Sequence, residues 1–270
     1  MRRAAHQLHD NPKVLDDPIA LQIIGPQAAR KLQMESPDAF GRYGLGIRAF
    51  MVARSRYAED ALARSIERGA RQYVILGAGL DTFAYRNPYA ESTLRVFEVD
   101  FPATQAWKRR NLHEARIPIP ASVTYAPVDF EHQTLAEGLR RAGFDAGQAT
   151  FFSWLGVTMY LTEEAIASTL ELVAATPGGG GVAFDYAIPV ESLNWMARAS
   201  MRMLMRRVAA AGEPFRTFFD PAALKARLLG MGFRGIEDLG VDELNARYFS
   251  NRTDRLRVVG RLGRLMSAEL

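Results

Sequence analysis

Three short segments of the sequence set a chain bend or a carboxylate at the end of an apolar run: Gly77-Ala78-Gly79, Asp100 and Asp129-Phe130. Glycines at such a bend permit a sharp turn and let the backbone come close to a ligand. A dinucleotide site would normally add a third glycine near position 82, but the residue there is Thr82. A bare Gly-x-Gly is also compatible with a tight turn that binds nothing. Asp100 follows about twenty residues later, where an acid can accept from both hydroxyls of a ribose. Glu98, two residues earlier, faces the same side of the run and competes for that role. At Asp129-Phe130 a carboxylate can accept from an adenine amino group while the neighbouring ring or N–H contacts the purine. Both Asp100 and Asp129 precede helix-compatible stretches, so helix N-capping is the competing reading for each. Taken together, an acid for the ribose without the third glycine favours S-adenosylmethionine over a dinucleotide.

The elements that must position these residues are legible in the pattern. Runs at 72–76, 94–99, 123–128, 150–157 and 181–186 are short, β-branched or aromatic, and read as strands. Helix-compatible segments at roughly 102–116, 131–143 and 162–175 lie between them. This alternation predicts an α/β, Rossmann-like fold with a mostly parallel sheet, and the near-continuous apolar strands predict a sheet covered on both faces. Residues 1 to about 70 read as helices, with a long one from Ile47 to Arg68 stopped by Gly69. A helical stretch at roughly 190–211 is placed as an insertion over the carboxyl ends of the strands, where ligands bind in such folds. Asp220-Pro221 starts a further helix, and two final strands are expected near 236–239 and 256–260, giving seven. The expected organisation is a single domain over 1–270: a helical cap (1–70), a cofactor-binding core (71–186), a helical lid (187–219) and the rest of the sheet (220–270).

Composition excludes several function classes. The chain has no cysteine, so a disulfide scaffold, a thiolate nucleophile and a Cys-based zinc site are out. That absence fits a reducing compartment, and the cytoplasm is the expected location. The formal charge of +4 comes without a Lys/Arg block of the kind that tracks phosphates, so no nucleic-acid partner is expected. No apolar run reaches the roughly 18 residues of a membrane span. His6, His9, His113 and His132 follow no strand end and read as surface residues. No HExxH, Ser-centred elbow or P-loop lysine pattern is present, and no metal is expected.

At this point the sequence resembles the leucine carboxyl methyltransferase family, especially its bacterial branch of S-adenosylmethionine-dependent O-methyltransferases. The resemblance rests on ARSRYAEDAL (53–62), YVILGAGLDTFAYR (73–86), VFEVDFPATQAWKRRNL (96–112) and WLGVTMYLT (154–162), with support from APVDFE (126–131). It implies a class I methyltransferase fold and assigns roles. Arg54 would pair with the methionyl carboxylate, which suits a guanidinium fork. Gly77, Ala78 and Gly79 would line the methionyl and ribose region, Asp100 would hold the ribose, and Asp129 and Phe130 the adenine. Asp81 and Arg86 match the family pattern and read as braces for the turn. Where many members carry a glutamate before the segment like GVTMYL, this chain has Leu155, so the C-terminal leucine of a phosphatase is not the expected acceptor.

Methyl transfer from a sulfonium can rest largely on positioning, and a carboxylate acceptor needs no base, whereas a hydroxyl usually does. The expected acceptor is a small molecule, a carboxylate or hydroxyl of a natural product. Tyr160, Asp185 and Tyr186 lie near strand ends on the expected active face, and Trp195 stands in the proposed lid with several methionines. Tyr160, Tyr186 and Trp195 are candidate substrate contacts, each with ordinary packing as the competing reading. Two other functions stay open on sequence: an NAD(P)-dependent oxidoreductase and a non-catalytic protein that binds an adenosyl ligand.

Overall fold

The computed structural model describes residues 1–36, 41–130, 132–192, 195, 198, 205 and 214–270. Its centre is a seven-stranded sheet of order β3-β2-β1-β4-β5-β7-β6. The strands are β1 (Gln72–Leu76), β2 (Arg95–Asp100), β3 (Val123–Pro127), β4 (Thr150–Trp154), β5 (Gly180–Ala187), β6 (Arg234–Leu239) and β7 (Gly263–Glu269). The first five run parallel, and β7 pairs antiparallel with both β5 and β6. The α/β, Rossmann-like expectation stands, with the order reversing between β1 and β4. That reversal is the place where open parallel sheets leave a crevice at their carboxyl ends.

The two faces of each strand bury different cores, as the two-residue period of a strand requires. Tyr73 and Ile75 of β1 join Tyr57, Leu62, Phe83 and Phe151 in one layer. Val74 and Leu76 join Phe97, Phe152, Trp154 and Phe184 in the other. The first layer is covered by the 27-residue α4 (Gly41–Glu67) and by α1 (Arg2–His9), α2 (Ile19–Ile23) and α3 (Pro26–Met34), which pack together at one end. The parallel strands are connected through α5 (Pro102–Glu114), α6 (Leu135–Arg141) and α7 (Glu163–Ala174). After β5 comes a short 3-10 turn at Val190–Ser192, and residues 214–220 lead into α8 (Pro221–Gly230). Asp220 caps that helix by accepting from Ala223 N, the role its sequence position implied. The final helix, α9 (Val241–Tyr248), lies between β6 and β7.

Two expectations about elements need correction or limits. The last strand is not 256–260 but 263–269: residues 256–260 have no regular structure, and Leu256 and Val258 are buried as side chains of a loop. β7 lies between β5 and β6, so its backbone is paired on both sides. Its polar members Arg264, Ser267 and Glu269 hide that position from a hydropathy reading. The expected helical insertion at 190–211 falls mostly outside the described residues. Among the described residues, no helix is long and apolar enough to cross a membrane.

Candidate active site

Strand register puts the chemistry-bearing residues in one row. Leu76 of β1 is level with Val99 of β2 and Trp154 of β4, and Trp154 is level with Phe184 of β5. The residues that follow, Asp100, Gly77, Leu155 and Asp185, therefore stand side by side across the carboxyl ends of the strands. Pro127 of β3 is level with Asp100, which brings Asp129 to the same end of the sheet.

The glycine bend and the β2 acid form one unit. Gly77 and Gly79 both have positive φ, +64° and +45°. A Cβ on Gly77 would sit 2.6 Å from Val157 Cγ2, whereas one on Gly79 would meet nothing nearer than the Gly77 carbonyl at 3.9 Å. The space above Gly79 is thus open to a ligand while Gly77 is closed in by its neighbour. Asp100 Oδ2 accepts from Gly79 N at 2.5 Å, and Oδ1 accepts from Phe101 N at 2.7 Å. A carboxylate offers about four lone-pair sites, so two remain for hydroxyls of a ligand.

The capping alternatives are resolved by position. Phe101, not Asp100, is the residue that precedes α5. Thr134, not Asp129, caps α6, in a reciprocal box with Glu137. Asp129 instead lies 3.1 Å from His132 Nδ1, and Phe130 is 64% exposed beside it. Phe130 is thus an exposed ring at the edge of the sheet's carboxyl end, beyond Asp100.

Glu98 is removed from contention for the ribose. It is fully buried on the layer below, with Lys108 Nζ at 2.7 Å and Tyr85 Oη at 3.0 Å. Burial pushes its carboxyl pKa up, against the opposing pull of Lys108. Tyr85 is in turn bonded to Tyr125 Oη at 2.9 Å.

The glycine loop is braced by the N-terminal helices, a set of contacts the sequence reading missed. Asp17, fully buried, accepts from Thr82 Oγ1 at 2.7 Å and lies 3.3 Å from both Arg3 Nε and Arg86 Nε. Arg3 also donates to the Leu80 carbonyl at 2.5 Å and to Asp81 Oδ2 at 3.4 Å. Burial alone would raise the Asp81 carboxyl, but Arg3, Lys108, Arg86 and the Phe83 N–H outweigh it and hold it below its ordinary range. Arg86 is further bound to Glu59 of α4. The residue in place of a third glycine is therefore a buried hydroxyl tied to Asp17, and the close backbone approach of a dinucleotide loop is not built here.

A cavity of about 260 Å³ lies between this loop, α1 and α4, walled in part by Gly77, Gly79, Leu155, Met51 and Arg54. Arg54 is on α4, reaches over the sheet and donates through Nη1 to Asp185 Oδ2 at 2.9 Å. Asp185 Oδ1 accepts from Gly156 N at 2.5 Å. Glycine suits this position because its φ is +76°, and a Cβ, 2.7 Å from Arg54 Nη2, would also displace the guanidinium from Asp185. A second cavity of about 320 Å³ lies on the far side of this pair, and Arg54 and Met51 belong to the walls of both. The second cavity is largely apolar, with Phe50, Met159, Phe215 and Val258 among its walls.

The match to known proteins follows this geometry. The model of the leucine carboxyl methyltransferase family matches residues 1–174. The chain belongs to that family. YktD of Bacillus subtilis (strain 168), which carries the name of an S-adenosyl-L-methionine-dependent methyltransferase, is 36% identical over 278 residues, spanning 94% of this chain and 90% of the relative. SCO7813 of Streptomyces coelicolor, named in the same way, is 28% identical over 67% of this chain and 73% of its own length. Among solved structures, a DUF574-family protein from Streptomyces avermitilis aligns over 93% of this chain and 96% of its own, with a TM-score of 0.59 at 16% identity. The magnesium protoporphyrin IX methyltransferase ChlM from Synechocystis PCC 6803, with bound SAH, aligns over 85% and 87% with a TM-score of 0.50 at 12% identity. These two likenesses show the class I methyltransferase fold alone. This member of the leucine carboxyl methyltransferase family is an S-adenosylmethionine-dependent enzyme, so the oxidoreductase and non-catalytic alternatives are set aside.

The chain's residues fit that cofactor. Gly79 and the guanidinium of Arg54 line the first cavity, and Asp100, with lone pairs to spare, is bonded to Gly79 at its edge. Of the expected acceptor contacts, Tyr160 follows β4 and packs edge-to-face on Phe215 with ring centroids 5.4 Å apart, in the wall of the second cavity. Tyr186 borders the same cavity, but its ring is buried in the core and its hydroxyl donates to Asp238 at 3.0 Å. Trp195 is 76% exposed.

Proposed function

We propose that this family member methylates an oxygen of a small, mostly apolar molecule, of the kind natural-product metabolism supplies, and that the molecule sits in the second cavity. In this reading the whole chain, 1–270, serves as one methyltransferase domain. The observation that carries the reading is the shared wall: Arg54 and Met51 border both cavities, so a donor in one and an acceptor in the other meet at that wall. S-adenosylmethionine supplies a methyl group already activated on a sulfonium. The chain's part is to fix and desolvate the reactants.

Arg54, with five N–H donors and one bond made to Asp185, keeps donors for the methionyl carboxylate. Asp100 takes the ribose hydroxyls on its remaining lone pairs. Phe130, exposed at the edge beyond Asp100, offers its ring to the adenine, and Asp129 offers its carboxylate to the amino group. Leu155, between Gly77 and Asp185 in the row, presents a methyl-bearing surface to the first cavity. It cannot bind a cation or donate to a peptide carboxylate. Apolar walls on the second cavity favour an acceptor with an apolar body.

The test is a transfer assay with methyl-labelled S-adenosylmethionine and a panel of small phenols, alcohols and carboxylic acids, with products identified by mass spectrometry. Label is expected on oxygen, with one S-adenosylhomocysteine formed per product. Met159→Trp, which fills the second cavity, should abolish transfer and leave cofactor affinity within about threefold. Label on nitrogen or carbon, or undiminished transfer by Met159→Trp, contradicts the reading.

A further inference from the structure

The second cavity carries information about the charge of what it receives. Among the described residues, Arg54 and Asp185 are the charged groups in its wall, and they are bound to each other. Asp185 is 1% exposed, and it has one bond to Gly156 N and one to Arg54 Nη1. Two of its lone-pair sites are therefore uncommitted. Apart from Tyr160 and Tyr186, the wall named above is apolar, and the Tyr186 hydroxyl is spent on Asp238, so no second cation there compensates a buried anion.

Burying an unpaired anion is costly, and two carboxylates side by side in a low-dielectric pocket repel each other. With a methionyl carboxylate also drawing on Arg54, a carboxylate acceptor would lie beside Asp185 as a like charge with no proton to share. A neutral hydroxyl adds no charge and brings the donor that Asp185 lacks.

We infer that the acceptor is a neutral hydroxyl compound, a phenol or alcohol with an apolar body, and that Asp185 binds its O–H and takes its proton. This inference rests on the reading of the second cavity as the acceptor site. In the step, the O–H bond breaks and its proton passes to Asp185 Oδ2; an oxygen electron pair forms the new O–C bond as the S–CH3 bond breaks with its pair going to sulfur, which leaves as S-adenosylhomocysteine. The proton leaves Asp185 for water once the product has gone. Arg54 keeps Asp185 aimed between uses, and the Gly156 N–H fixes the other carboxylate oxygen.

The test uses the full chain saturated with S-adenosylhomocysteine and two probes of similar body, 4-ethylphenol and 3-phenylpropanoate, titrated calorimetrically. The phenol is expected to bind at least tenfold more tightly than the carboxylate. In Asp185→Asn, which removes the negative charge and keeps the shape, that preference should fall at least fivefold. Affinity for S-adenosylhomocysteine, measured in the same variant, reports that the fold and first cavity are intact. The carboxylate binding as tightly as the phenol, or an unchanged preference in Asp185→Asn, overturns the inference and leaves the acceptor cavity standing. Binding of neither probe overturns the cavity reading and the inference with it. Should Asp185→Asn not fold, the comparison of probes on the unaltered chain decides alone.

Discussion

Asp100 and Gly79, twenty-one residues apart, are joined directly: the carboxylate at the end of β2 accepts from the backbone N–H of the glycine bend after β1. The ribose acid and the phosphate-free glycine loop of this methyltransferase are thus one device. The loop is shaped by the same group that the nucleoside would engage.

Replacing Asp100 with Asn should therefore act twice. An amide has one acceptor oxygen, so it cannot serve both Gly79 N and Phe101 N, and its NH₂ would face one of those donors. Each hydrogen bond to a charged group is worth about 1.5–3 kcal/mol. Affinity for S-adenosylmethionine should fall about tenfold to a hundredfold by calorimetric titration, and an unchanged affinity would mean that the ribose lies elsewhere.

Gly77→Ala tests the bend itself. It combines a left-handed φ with a Cβ placed 2.6 Å from Val157 Cγ2. Strain of about 1 kcal/mol from the dihedral and about 1–3 kcal/mol from overpacking should lower stability to urea. Adding Val157→Ala should recover the steric part and leave the dihedral part. Full recovery, or none, would show that one of the two causes is misassigned.

Lys108→Met probes the buried pair beneath the site. Removing one partner of such a pair costs about 3–5 kcal/mol at neutral pH. Glu98 has a folded pKa above its unfolded value because of burial. The folded state therefore binds more protons than the unfolded one between those two values, and stability is lost as pH rises through that window. Without Lys108 the window widens upward. The deficit relative to the unaltered chain, read from urea unfolding at pH 5 and pH 8, should be smaller at pH 5. A deficit that does not change with pH would show that Glu98 is not the group left unpaired.

Arg54→Lys separates charge from geometry at the shared wall. A lysine retains the charge near Asp185 but lacks the planar fork that reaches two carboxylates at once. Cofactor affinity should drop by about tenfold or more, as expected for a lost charge-assisted bond. The melting temperature should fall by no more than a few degrees, because Asp185 keeps a cation and the Gly156 N–H. A large stability loss with unaltered affinity would make Arg54 purely structural.

The sequence disclosed the parts of this site that obey local rules. Strands β1 to β5 were legible because each is an apolar run stopped by a glycine, an acid or a loop. The bend at Gly77 and the strand-end acid Asp100 follow from the same rule. What stayed hidden depends on partners distant in the chain. Thr82 showed only as a missing glycine, because its function is a bond to Asp17, sixty-five residues earlier. Asp185 and Arg54 are 131 residues apart, and only the packing of α4 against β5 brings them together. Leu256–Gly260 resembled a strand because its valines and leucine are apolar, and Leu256 and Val258 are buried, but as part of a loop between α9 and β7. The true strand carried Arg264, Ser267 and Glu269, polar residues tolerated because their side chains are bonded to Asp238, Tyr57 and Arg68.

The most direct test of the whole account is a crystal structure with S-adenosylhomocysteine bound. The account predicts both ribose hydroxyls within hydrogen-bonding distance of Asp100, the methionyl carboxylate on Arg54, and the sulfur directed toward the second cavity. A nucleoside bound away from Asp100, or a sulfur pointing away from the Arg54–Asp185 wall, would contradict it.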